Sequence, residues 1–109
     1  MAYNFDTVFT SLKSGVITLA ETDLKNYISA AEQDGQAVLD DLKADLETWA
    51  QQVAAGTLSG ADFQDFLLGQ KDEIEMVALK EAGLAEIATD QFRDDVINLI
   101  LTTINALIP

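Results

Sequence analysis

Nearly all the side chains of this chain that could do chemistry are carboxylates. Ten of the 19 Asp and Glu stand in three groups: Asp40, Asp41, Asp45 and Glu47; Asp72, Glu73 and Glu75; and Glu86, Asp90 and Asp94 at i, i+4 spacing. Carboxylates so grouped can hold a hard cation, or divide into a general acid and a general base. Calcium takes about 6–8 oxygens, usually from a compact loop that adds backbone carbonyls. No such loop spacing is present, and the groups fall on stretches that read as straight helix. The expectation is a solvated acidic helix face, partly balanced by Lys43, Lys71 and Arg93. No catalytic, metal-binding or cofactor-binding residue is assigned, and the chain is read as a non-enzyme.

The missing residue types agree with this. Without His the commonest general base and transition-metal ligand are both lacking, and no imidazole can activate a serine. Without Cys there is no disulfide framework and no thiolate. Six Lys+Arg against 19 Asp+Glu give a net charge of −13. The basic residues Lys13, Lys25, Lys43, Lys71, Lys80 and Arg93 are scattered, so no nucleic-acid partner is expected. The chain is 49% hydrophobic and its mean hydropathy is +0.12, enough apolar surface to fold despite the charge.

The elements that carry these residues follow from periodicity. Phe5, Val16, Tyr27, Val38 and Trp49 recur every 11 residues, and so do Phe63, Ile74, Ala85, Val96 and Leu107. A heptad count from Phe5 runs into Asn26, Gln33 and Asp40. An 11-residue repeat is about 3.67 residues per turn, the signature of nearly straight helices. Trp49 and Tyr27 fall within these rows, so both read as core. One turn cluster interrupts the pattern, Ala55 to Gly60. Gly56 suits the position after a helix end, and Ser59 suits an N-cap with Asp62 three residues on. Leu58 and Phe63 are placed to staple the new helix.

The predicted fold is all-α, a single domain over residues 1–109. It is a long antiparallel hairpin with helices at about 5–55 and 60–107 and a turn at 56–59, because the apolar phase runs unbroken through Gly35 and Gly83; the alternative is four shorter helices with breaks near Gly15, Gly35 and Gly83. Each helix would be ~75 Å long. Folding back at the turn sets Ala30, Ala31 and Gly35 against Ala82, Gly83 and Ala85. It sets Trp49 near Phe63, Phe66 and Leu67, and Phe5, Phe9 and Leu12 near Ile100, Ile104 and Leu107.

A hairpin is one layer thick, whereas a domain normally needs two layers around a core. Between Phe92 and Ile108 the apolar residues cover more than half the helix circumference, so this arc needs cover on two sides. Self-association into a bundle is the expected cover, as a homo-oligomer of two copies or more. The assigned subunit contacts are Ile97, Leu101, Ile104, Ile108, Leu68, Met76, Leu79 and Ile87. The alternative is a lipid surface meeting the Val96–Ile108 stretch. That stretch is too short to span a membrane, and its polar face carries Asp and Asn where interfacial helices carry Lys and Arg. No basic-then-apolar leader opens the chain, which favours the cytoplasm.

Two resemblances bear on this reading. Length and hairpin shape resemble the WXG100-type secreted helical hairpins. However, Trp49 is followed by Ala50 and Gln51, so the Trp-x-Gly turn is missing and membership is rejected. The runs Leu68-Gly69-Gln70-Lys71-Asp72 and Glu75 to Ala85 resemble a pattern in short bacterial helical proteins of unknown function. That resemblance implies a bacterial helical protein and no catalytic residues.

Overall fold

Asn4 opens the first helix. Its Oδ1 accepts the Asp6 N–H at 2.9 Å, satisfying one of the donors that a helix N-terminus leaves free. The computed structural model describes residues 4–108. Within them the chain is all-α, with no strand. The helices are α1 (Phe5–Asp23), α2 (Ile28–Ala54), α3 (Gly60–Leu68), α4 (Val77–Glu81) and α5 (Glu86–Asn105), with a 3-10 turn at Lys71–Glu73.

The mid-chain turn lies where the sequence puts it. Gly56 has φ 78°, a left-handed conformation that glycine adopts without a Cβ penalty. Its N–H donates to the Val53 carbonyl at 3.1 Å and the Thr57 N–H to the Gln52 carbonyl at 2.9 Å. These two bonds form a Schellman motif closing α2. Ser59 Oγ then accepts the Asp62 N–H at 3.1 Å and caps α3. The Trp49 ring meets Phe63 and Phe66 at centroid distances of 6.0 and 6.1 Å, the end-of-hairpin pairing expected.

The two long helices are not found. The stretch 5–55 breaks at residues 24–27, and the stretch 60–107 divides into α3, the 3-10 turn, α4 and α5. The longest dimension of the fold is 42 Å, far short of a ~75 Å rod. At the first break the Leu24 N–H still reaches Ala20, but the Tyr27 N–H closes a tight turn on the Leu24 carbonyl at 2.8 Å. The link is about one helical turn long, so the apolar rows resume in phase after it. An unbroken 11-residue count is therefore blind to this bend. The later break is a second Schellman motif. Gly83 has φ 93°, its N–H donates to Lys80, and the Leu84 N–H donates to Leu79, both at 3.1 Å.

Breaking the rod lets the chain cover its own core. The long helix α2 packs against each of the other four helices, and α5 packs against α1, α2, α3 and α4. The wide apolar arc of α5 is thereby enclosed: Phe92, Val96, Ile97, Ile100 and Ile104 are all 2% exposed or less. Each such burial contributes about 1.5–3 kcal/mol relative to leaving the side chain in water. The second layer that the sequence assigned to another copy is supplied within the chain.

This corrects half of the assigned subunit contacts. Ile97, Ile104, Met76 and Leu79 lie in the chain's own core, and Leu101 packs half-buried against it. Only Leu68, Ile87 and Ile108 stay exposed. The small-against-small pairing at mid-hairpin is also replaced, since Gly35 on α2 backs onto Val16 of α1. A methyl group at Gly35 would run into Val16 Cγ1. Valine is stiff at χ1 and cannot swing clear. Gly35→Ala should therefore destabilise the fold by overpacking, despite alanine's better helix propensity, which is worth up to about 1 kcal/mol. A lower urea midpoint for this variant is the expected result.

Candidate functional site

Helix α4 has five residues, too few to sustain a helix in isolation. No side chain of its own caps its N-terminus. The cap comes from α2: Asp34 Oδ1 accepts the Ala78 N–H at 2.9 Å and Oδ2 accepts the Leu79 N–H at 2.7 Å. Asp34 is 5% exposed, and both bonds link positions more than 40 residues apart in sequence. A carboxylate at a helix N-terminus also meets the positive end of the helix dipole. Asp34 thus fixes α4, and with it the connection from Gly69 to Met76, against the side of α2.

A groove runs between α2 and this connection. Val38, Leu42 and Ile74 line it together with Ala37, and Asp41, Asp45, Glu73 and Glu75 stand at its edge around a cavity of ≈ 270 Å³. It continues past Asp34 toward Val77, Ala78 and Glu81. The fold therefore brings members of the first two acidic groups together, Asp41 and Asp45 facing Glu73 and Glu75. The other members lie elsewhere. Asp40 pairs with Lys13 at 3.5 Å, and neither Glu47 nor Asp72 lines the groove. The third group sits on α5, where Arg93 reaches Asp90 at 3.7 Å and Asp94 at 3.3 Å, and Lys71 reaches Asp94 at 3.3 Å. The expected balancing by Lys71 and Arg93 is present there. Lys43 instead lies over the Phe9 ring, 5.1 Å from its centroid.

Among the described residues no group of three or more Asp or Glu stands close enough to hold a metal ion. The groove can set up a negative potential, and its carboxylates are too dispersed to chelate; Val38 and Leu42 beneath them are already buried in the core. No helix among the described residues is long and apolar enough to cross a membrane. The α5 face that a lipid surface would have met points into the core.

A second carboxylate contact joins α1 to α5. Asp23, at the C-terminal end of α1, and Asp95 both line the two cavities along this seam. Partial burial raises the Asp95 pKa above its ordinary value of 3.8, helped by a hydrogen bond with Asp23 and by the charges of Asp23 and Asp94. The last turn of α1 offers no basic residue to offset them.

Comparison with protein-family models, with curated proteins and with solved structures finds no match to this chain. The fold places the described residues in the class of acidic, all-α bundles, with a carboxylate-rimmed groove beside a short capped helix.

Asp34 is the residue that periodicity missed. The signal was present, because Asp34 stands among Ala31, Gly35, Val38 and Leu42 on an otherwise apolar stripe. A lone carboxylate there needs a partner, since a buried charge without one is costly.

Two predictions follow from these contacts. Asp34→Ala strips two amides of their acceptors and should cost about 2–3 kcal/mol in urea unfolding, whereas Asp34→Asn keeps one acceptor and should cost less. For Asp95, a raised folded-state pKa means that the native state holds the proton more tightly than the unfolded chain. Its stabilising contribution is present below pH 3.8 and is lost as pH rises through the raised value. Asp95→Asn should raise the melting temperature near neutral pH, and the gain should vanish below pH 3.8.

Proposed function

We propose that this chain is a non-enzymatic helical interaction subunit that associates with copies of itself through apolar side chains its own fold leaves outside. The observation that carries this reading is Ile87, 84% exposed in the first turn of α5. Phe66, Val77, Ile108 and Leu68 are each about half exposed. An isolated apolar side chain on a surface is ordinary. With Ile17 there are six such large side chains among the described residues, a substantial exposed apolar area. The absence of His and Cys, and a groove whose carboxylates are dispersed, support a role in binding over a role in catalysis.

The net charge of −13 opposes the approach of two copies, and salt screens it. Association should therefore strengthen as ionic strength rises, the reverse of a contact held by ion pairs. Light scattering after size exclusion would give a mass above 11.8 kDa that grows with added salt. Ile87→Asp, at a site too exposed to disturb the fold, should return the mass to that of one chain. An assembled mass unchanged in Ile87→Asp, or a wild-type monomer at every salt concentration, would remove the proposal. Leu101 is unsuited to this test, because an Asp there would disturb the core against which it packs.

A further inference from the structure

We propose that Asp23 and Asp95 form a proton-operated clasp on the α1–α5 seam, closed while the two carboxyls share a proton and released when both are ionised. The device is separate from self-association, for it lies between two helices of one chain.

The seam has the parts that such a clasp needs. Asp23 is the last residue of α1, and the chain bends immediately after it at residues 24–27. Asp95 faces it from α5. Two cavities of ≈ 480 and ≈ 370 Å³ flank the pair, and both carboxyls line both of them. Further along, the same seam is tight: a methyl group at Gly15 would come within 2.8 Å of the Leu99 side chain. The two helices are therefore held together at Gly15 and loosely packed at Asp23, beside the bend. That is the geometry of a pivot with its free end at the carboxyl pair.

No cation balances this pair. Apart from Asp23 and Asp95 the cavity linings are uncharged, and their polar members are Thr22, Gln91, Asn98 and Thr102. Arg93 and Lys71 are held by Asp90 and Asp94. Lys25, on the bend, and Glu21, on α1, line neither cavity. Helix α2 packs against both α1 and α5 but places no residue in either cavity. The negative end of the α1 dipole adds to the repulsion felt by a charge on Asp23.

An ionised carboxylate only accepts hydrogen bonds, so two carboxyls bond to each other only through a proton that one of them holds. Sharing it closes the seam and leaves one charge in place of two. The raised pKa of Asp95 agrees in sign, because a closed seam holds the proton more tightly than an open one. As pH rises through that value both groups become charged, and the last turn of α1 is pushed away from α5. Opening at this end uncovers Phe92, which lines the larger cavity and is 1% exposed in the closed form.

The test follows side-chain carboxyl carbon shifts and amide hydrogen-exchange protection from below pH 3.8 to neutrality, with protection corrected for intrinsic exchange. The reporter amides are Leu24, bonded to the Ala20 carbonyl, and Tyr27, bonded to the Leu24 carbonyl. Asp23 and Asp95 should titrate as a coupled pair, with one step above the ordinary carboxylate range. Across that step the protection of Leu24 and Tyr27 should fall by about threefold or more relative to that of Leu46 in the core of α2. Asp95→Asn, whose side-chain amide can donate to Asp23 at every pH, should keep protection high and abolish the step, and Asp23→Asn should do the same from the other side. Asp94→Asn leaves the clasp intact and should lower the pH of the step without removing it. Circular dichroism confirms that the variants are folded. Ile87→Asp should respond as wild type does, so the clasp and self-association are told apart. Independent titration of the two carboxyls, or a protection step in Asp95→Asn equal to that of wild type, would overturn the proposal. A step shared equally by Leu46 would assign the effect to global stability and overturn it as well.

Discussion

One carboxylate holds the second half of this fold in place. Asp34, inside α2, caps a helix of five residues that could not stand without it. The amides of Ala78 and Leu79 sit where water does not reach them freely, and an unmet buried donor is costly. Once α4 is fixed there, the Schellman turn at Gly83 directs the chain into α5, and α5 closes the core against α1 and α2. The connection from Gly69 to Met76 is held at both ends, by α3 before it and by the capped α4 after it, which gives the acidic groove its second wall.

The same arrangement explains what the sequence could and could not disclose. The helical class was legible because apolar residues recur with a helix period in both halves. The mid-chain turn was legible because Gly56, Ser59 and Asp62 are local signals, each acting within a few residues of itself. The break at Asp23–Tyr27 was hidden because a link of about one turn preserves phase. Gly83 marked a break only in the alternative four-helix reading, since the apolar rows on either side of it also stay in register. The acidic groups were visible as groups. Their convergence across the groove was not, because it depends on a contact between Asp34 and α4 that spans more than 40 residues.

Reading the C-terminal arc as an intersubunit surface followed from an extended rod, in which a helix apolar on two sides has nothing of its own to pack against. The folded chain supplies that missing layer by bending twice, so Ile97 and Ile104 meet α1 and α2 in place of a second copy. What remains outside is smaller and of two kinds. Ile87 and its fellow exposed residues are apolar without nearby purpose in the monomer. The groove carries carboxylates above side chains already buried in the core.

The distance in sequence between Asp34 and its amides also sets an order of events in folding. Helices α1 and α2 are joined by four residues, so their packing closes a short loop and can form early. The lock on α4 must wait until a much longer loop has closed, and α4 has little helix of its own to offer beforehand. Its docking therefore depends on a contact that closes a longer loop than the α1–α2 pair does. Its backbone amides mark a local opening unit that can detach while the α1–α2 pair stays folded.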